Sequence, residues 1–181
     1  GIASTTIVSN GVNIVGSVMI TGGVHTLIVT NGGQLSAGSA ASIIGANGSN
    51  NTIVIVGGAG VTSLWEVGTA VLLQNLTVGS GAATNNVLRI DGAGIPGGAV
   101  VTNVNGMTLG ATAGASGNRV IVANGASLFG GAVIVGNAAG ASSNSYTIGG
   151  GAAAVTVSNG TIDVGLGGGG HNTMTVTNAV L

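Results

Sequence analysis

The sequence predicts an all-β protein, a parallel β-solenoid (β-helix) of about six coils that forms a single repeat domain over residues 1–181. Three observations lead to this fold class. One short strand phrase recurs seven times, Asn-Gly pairs follow several of its copies, and no segment has the pattern of a long amphipathic helix. Glycine and β-branched residues are too frequent for such a helix. A fixed strand separated by variable insertions is typical of a solenoid.

The recurring phrase is a strand with apolar residues at alternate positions. Its first position is occupied, in chain order, by Thr6, Leu27, Ile53, Leu88, Val120, Tyr146 and Met174. The third position is always Val or Ile, whereas charged and hydroxyl-bearing residues such as Arg89 and Asp91 appear at the second and fourth. This period of two predicts a strand that buries the same face in every copy.

Segments between the copies predict further strands and tight turns. The second-strand candidates are Ser17–Ile20, Ser42–Ile44, Ala99–Val101, Ala132–Val135 and Thr161–Val164. Asn-Gly pairs at Asn10, Asn31 and Asn124 directly follow the repeated strand, where they supply the positive φ angles of a turn. Stacked asparagine side chains are also able to hydrogen-bond as ladders.

A β-sandwich pilin with a strand donated to its neighbour is the alternative fold. Such a protein also has short strands and glycine-rich turns. It does not predict the same phrase seven times, so the solenoid is the preferred interpretation.

Charged residues are unusually rare in this chain. Two Arg, no Lys and three Asp or Glu make up 3% of the sequence, where about 25% is usual. Without a basic surface, nucleic acid is not an expected partner. A hydrophobic content of 45% is the opposite of a disordered composition. Because weakly charged proteins tend to associate, the sequence predicts a surface that is covered in an assembly.

We expect the protein to be extracellular or at the cell surface. The sequence starts at Gly1 without a basic or hydrophobic leader, which is typical of a processed chain or of a piece of a longer one. The most apolar stretch, residues 52–79, contains Glu66 and several glycines, so no membrane span is predicted.

The residues that carry chemistry are few and scattered. The acidic side chains are Glu66, Asp91 and Asp163, and glycosidase chemistry needs paired carboxylates. His25 and His171 alone do not make a metal site. We therefore predict that the protein is not an enzyme, with no catalytic, cofactor-binding or metal-ligating residues and no cofactor.

Two phrases carry a resemblance to a known family. Thr-Leu-Ile-Val-Thr-Asn-Gly-Gly-Gln-Leu at 26–35 and Val-Ile-Val-Ala-Asn-Gly-Ala-Ser-Leu at 120–128 resemble the repeats of autotransporter-type passenger domains and related surface adhesins. The resemblance covers roughly residues 4–181 and implies a right-handed parallel β-helix that is exported and displayed outside the cell. Such passengers usually carry more Asp and Lys than this chain.

The resemblance and the sequence also suggest contact and modification sites. Trp65 lies in the longest interval between copies of the phrase, so segment Ser63–Glu66 is predicted to be a protruding adhesive loop. Sequons predict candidate glycan attachment at Asn47, Asn50, Asn75 and Asn159.

The two ends of the repeat array predict self-association. The first and last copies fit the interior columns, no capping element is apparent, and the last repeat is incomplete where it stops at Leu181. Uncapped strands invite strand addition, and a head-to-tail contact that does not close makes a filament. The predicted subunit interface consists of Thr6, Ile7, Val8, Met174, Val176, Val180 and Leu181.

The predicted function is therefore a structural subunit of an extracellular homopolymeric filament, whose copies stack head to tail and are candidates for lateral bundling. The alternative is a surface adhesin or autotransporter passenger module that binds glycans or cells through residues 61–75.

Overall fold

The computed structural model describes residues 3–181, which form eighteen strands and no helix. In chain order the strands are β1 (Ser4–Ser9), β2 (Val12–Val15), β3 (Met19–Thr21), β4 (His25–Thr30), β5 (Gln34–Ala37), β6 (Ser42–Ala46), β7 (Thr52–Val56), β8 (Ser63–Glu66), β9 (Gln74–Ser80), β10 (Val87–Asp91), β11 (Ala99–Leu109), β12 (Arg119–Ala123), β13 (Ser127–Val135), β14 (Ser145–Ile148), β15 (Val155–Ser158), β16 (Ile162–Val164), β17 (Thr173–Val176) and β18 (Ala179–Val180).

The strands belong to two parallel sheets between which the chain alternates. The first sheet has seven strands in the order β1-β4-β7-β10-β12-β14-β17. The second has eleven, in the order β18-β15-β13-β11-β8-β5-β2, with β3, β6, β9 and β16 pairing beside this path. Each strand of the first sheet is followed along the chain by one or two strands of the second.

The predicted β-solenoid of about six coils was wrong as a description of this architecture. The fold is all-β, with two layered parallel sheets of seven and eleven strands. The repeated phrase marks only the seven-stranded sheet. The other sheet does not repeat uniformly, because the 11-residue β11 pairs with the single strand β13 on one side and with two separate strands, β8 and β9, on the other. One repeated strand therefore did not determine how the remaining chain is layered.

The alternative of a β-sandwich pilin was also wrong. Antiparallel pairing is the basis of that sandwich, but every pairing between the strands of residues 3–181 is parallel. The antiparallel contact that the described chain does contain is an isolated bridge between Gly58 and Val61.

Strand pairing confirms the alignment of the seven phrases. Thr6 lies opposite Leu27, and the same column continues through Ile53, Leu88, Val120, Tyr146 and Met174. The interior members from Ile53 to Tyr146 are completely buried, as the period of two predicts. The turns are confirmed as well, because Asn10, Asn31 and Asn124 have φ angles of 52°, 49° and 57°.

One hydrophobic core fills the space between the sheets. Ile55 and Ile90 from the first sheet and Leu35, Trp65 and Leu128 from the second belong to the same buried cluster. Full burial of such a side chain stabilises the fold by about 1.5–3 kcal/mol. No helix that is long and apolar enough to cross a membrane is present in residues 3–181.

Candidate functional site

The seven-stranded sheet ends in two strands that are paired on one side only within residues 3–181. β1 is one of these end strands and carries Thr6, Ile7 and Val8 of the predicted interface. Ile7 points outward with 61% of its surface exposed, whereas Val8 is 7% exposed and points into the core.

β17 is the opposite end strand. It carries Met174, which is partly buried, and Val176, which is 42% exposed. Val180 in β18 and the adjacent Leu181 are 61% and 69% exposed at the corresponding end of the second sheet. The residues at this end are more exposed than their counterparts in the middle of the sheets.

The two predicted halves of the interface do not meet within one chain. Five strands separate β1 from β17 in the sheet, which is about 29 Å at the usual spacing of about 4.8 Å. The structure therefore presents two separate end surfaces, each with exposed backbone edges.

A cavity of about 450 Å³ opens at the β1 end. Its lining includes Thr6 and Val8 from β1, Asn13 from β2, Met19 from β3 and Leu35 from β5. The cavity exists because the end strands carry small or polar residues at core positions. Thr6 stands in the column that elsewhere holds Leu, Ile, Val, Tyr or Met, and Asn13 pairs with the buried Leu35.

A ladder of asparagine side chains runs along one side of the seven-stranded sheet. Its members are Asn51, Asn86, Asn118, Asn144 and Asn172, each two residues before the first column position of its strand. Every Nδ2 of the first four donates to the Oδ1 of the next asparagine at 2.9–3.0 Å. The backbone N–H of each donates to the same oxygen at 2.9–3.1 Å.

The second Nδ2 hydrogen of each of the first four ladder amides is also satisfied by a backbone carbonyl. Nδ2 of Asn86 donates to the carbonyl of Gly48 at 2.9 Å, and Nδ2 of Asn118 donates to the carbonyl of Ala83 at 3.1 Å. Because Asn51, Asn86, Asn118 and Asn144 are completely buried, these bonds offset the cost of removing the amides from water.

Glycines with positive φ leave the space that the ladder needs. Gly79 (φ 85°) and Gly110 (φ 68°) lie against the amide groups of Asn118 and Asn144, and a Cβ atom on either glycine would overlap that amide. The high glycine content is thus partly a packing requirement of the ladder.

The ladder ends differently at the two ends of the sheet. At the β1 end the column continues through His25 to Ser4, whose Oγ lies 2.7 Å from Nδ1 of His25. The backbone N–H of His25 donates to Oδ1 of Asn51 at 3.0 Å. At the other end Asn172 accepts from Asn144 and donates to the carbonyl of Ala141 at 2.9 Å. Within residues 3–181 no further side chain follows Asn172 in the column.

No family model matches the chain. No curated protein and no solved structure matches it either. The resemblance to passenger and adhesin repeats therefore stays a prediction.

Arg89 and Asp91 form an ion pair on the outer face of the seven-stranded sheet. Burial of the Asp91 carboxyl raises its pKa, but hydrogen bonds from the Ala93 N–H, Arg89 and Asn124 outweigh that effect, so the net pKa lies below the usual value. The pair is a local feature of one strand, and no cluster of three or more metal-ligating side chains occurs in the described residues.

The prediction that Trp65 lies in a protruding loop was wrong. Trp65 is in β8, is completely buried, and follows Leu35 in an inward-facing column of the second sheet. Its Nε1 has no hydrogen-bond partner in residues 3–181. Exposed apolar residues do occur a few positions later, where Val71, Leu72 and Leu73 are 95%, 52% and 48% exposed.

The four predicted glycan sites differ in accessibility. Asn47 and Asn50 are exposed with positive φ angles, and Asn75 is exposed in β9, where its Oδ1 accepts from Asn105 at 3.0 Å. Asn159 is half-buried, and its Oδ1 accepts the hydroxyl of the buried Tyr146 at 2.8 Å. Asn47, Asn50 and Asn75 are therefore more accessible than Asn159.

Proposed function

We propose that the chain is a structural subunit of an extracellular homopolymeric filament, in which β17 of one copy adds to β1 of the next. The observation that carries this proposal is that both end strands of the seven-stranded sheet have an unpaired edge in residues 3–181 and follow the same column pattern as the interior strands. An edge of this kind is a template for strand addition.

The parallel direction of the strands favours one mode of addition. All seven strands run the same way, so the β1 edge and the β17 edge are different surfaces that fit each other rather than themselves. A contact between unlike surfaces that does not close makes an open filament. Seven strands at about 4.8 Å predict an axial repeat of about 34 Å per copy.

The composition supports self-association. Charged residues are 3% of the chain and the net charge is −1, so electrostatic repulsion between copies is weak. The outer face of the seven-stranded sheet also carries Ile7, Ile28 and Ile121 next to hydroxyl side chains, which favours lateral bundling of filaments.

A charge placed at the edge tests the proposal. Thr6→Lys puts an ammonium group at an inward-facing position of the edge strand, a device by which natural sheets prevent edge addition. Thr5→Lys puts the same charge on the outer face of the same strand and is the matched control. We expect pelletable filaments from the unaltered chain and from Thr5→Lys but not from Thr6→Lys, with Trp65 fluorescence confirming that each variant is folded. Discrete monomers of the unaltered chain at high concentration would refute the proposal.

A surface adhesin is the second candidate, and the exposed run Val71–Leu73 is the observation that favours it. This run falls within the predicted adhesive segment 61–75 and includes the 95% exposed Val71. Changing Val71 and Leu72 to Ser is expected to abolish attachment to cells or glycans while filaments still form. Unchanged attachment would count against this candidate.

A further inference from the structure

The β1 end of the molecule has a cavity that opens toward the position of an added copy. At the β1 end the core is incomplete, and the cavity of about 450 Å³ reaches down to Leu27 and Leu35 of the next layer. A cavity of about 150 Å³ is large enough for a benzene ring. The β1 end therefore has room for two or three apolar side chains of that size.

The β17 end has the side chains that such a cavity would accept. Met174 stands in the same column as Thr6, and its side chain lies on the core face at the end of the sheet. Leu181 follows Val180, which pairs with Thr156, so alternation along the strand places Leu181 on the same face as the buried Val157. Methionine is an unbranched side chain that adapts to irregular space.

We propose that Met174 and Leu181 of one copy occupy the β1-end cavity of the next copy, in the single register that places Asn172 opposite Ser4. This inference rests on the proposed filament and specifies its junction. In this register Met174 covers Thr6, Thr175 lies opposite Ile7, and Val176 lies opposite Val8, as the columns require.

The asparagine ladder fixes the same register independently. Each asparagine in the chain donates its Nδ2 hydrogen to the side-chain oxygen of the following member. Ser4 heads the column, and its Oγ is the oxygen that follows Asn172 when a second copy is added. The Ser4 hydroxyl is then able to accept from Asn172 while it donates to Nδ1 of His25, so the direction of donation continues across the junction. A shift of one residue would bring Thr175, an outward-facing residue, into the apolar column.

The absence of cysteine makes the register measurable by disulfide formation. The variant Ile7→Cys with Thr175→Cys places two thiols on directly opposite residues of neighbouring copies, about 4.8 Å apart at Cα, within the range that a disulfide spans. The matched control, Ile7→Cys with Thr173→Cys, offsets one thiol by two residues and separates the Cα atoms by about 8 Å, which is too far. The two ends of a single copy are too distant to cross-link.

We expect mild oxidation of assembled protein to convert the 7/175 variant into a series of covalent oligomers on a non-reducing gel. The 7/173 control should cross-link at least tenfold more slowly, although it assembles equally well. Filaments that cross-link better through 7/173, or through neither pair, would overturn the register and the seating of Met174 while leaving the filament intact. If neither variant nor the unaltered chain assembles, the proposed function itself fails, and the junction fails with it.

Discussion

Removing one amide from the middle of the asparagine ladder should have a large effect on stability. Asn118 is completely buried and its side chain makes four hydrogen bonds, two accepted from Asn86 and one donated to each of Ala83 and Asn144. In Asn118→Ala the backbone N–H and one Nδ2 hydrogen of Asn86 lose their acceptor, whereas the carbonyl of Ala83 still accepts from the Ser116 N–H.

The expected loss follows from these two hydrogens of Asn86 that lose their acceptor. An unsatisfied buried polar group costs about 1–3 kcal/mol, and water that enters the vacated space reduces the cost. We therefore expect Asn118→Ala to lower the free energy of unfolding by about 2–5 kcal/mol. The matched control is Asn105→Ala, which removes an exposed amide with one hydrogen bond to Asn75 and should cost about 0.5 kcal/mol or less.

Equilibrium denaturation in guanidinium chloride measures both variants, with Trp65 fluorescence and far-ultraviolet circular dichroism as probes. Trp65 is the single tryptophan and is buried, so its emission reports loss of the core. Assembly-deficient Thr6→Lys is the parent chain for these measurements, so that self-association does not contribute. If Asn118→Ala and Asn105→Ala have the same midpoint, the ladder does not stabilise the fold and this reasoning is wrong.

Three further predictions concern titration and the core. The pKa of Asp91 is lowered in the folded protein, so its contribution to stability is complete above about pH 4 and is lost as the pH falls through the folded value. In Asp91→Asn the free energy of unfolding should therefore fall less at acid pH than in the unaltered chain. The difference should be less than about 1 kcal/mol, because the ion pair between Asp91 and Arg89 is partly exposed. Burial raises the pKa of Tyr146. The contribution of the buried, neutral Tyr146 side chain to the free energy of unfolding is therefore complete below about pH 10 and is lost as the pH rises above that value. The ultraviolet absorbance of tyrosinate should therefore appear together with unfolding, and an absorbance change in the folded protein near pH 10 would contradict this. Trp65→Ala should cost about 3–5 kcal/mol, against less than half of that for the 39% exposed Phe129→Ala, as measured by the circular dichroism midpoint.

Several features of the fold could be predicted from the sequence because they depend on local alternation. Ile53, Leu88 and Val120 occupy inward positions because apolar residues recur at every second place of the phrase, and this pattern requires no knowledge of distant contacts. The ion pair between Arg89 and Asp91 was predictable for the same reason, since residues i and i+2 lie on one face of a strand.

The layering of the two sheets could not be predicted in this way. A repeated phrase determines the partner of each strand that contains it. The course of the chain between the copies depends on how those segments pack, and their sequences repeat less clearly. The alternation of Ser63 and Trp65 with Leu64 and Glu66 was the available signal for β8, and the length of that interval suggested a loop instead. The core position of Trp65 also means that loss of attachment in a Trp65 variant would reflect damage to the fold.

The sequence predicted that asparagine side chains stack as a ladder, but it did not predict which asparagines form the ladder. Stacking was predicted for the asparagines of the Asn-Gly turns, which follow the repeated strand. The ladder instead uses the residue two places before each first column position, where Asn51, Asn86 and Asn118 recur with the same spacing as the strands themselves. Aligning the residues that precede the phrase, as well as those within it, would have revealed the ladder. The cavity at the β1 end has no comparable pattern in the sequence, because it is the space that the small or polar side chains of Thr6 and Asn13 leave empty.

Cryo-electron microscopy of the unaltered chain at high concentration tests the proposed head-to-tail filament most directly. We expect unbranched filaments of one polarity, with strands perpendicular to the axis, an axial repeat of about 34 Å per copy and β17 of one copy beside β1 of the next. Particles that remain single at every concentration, or filaments in which like edges meet, would contradict it.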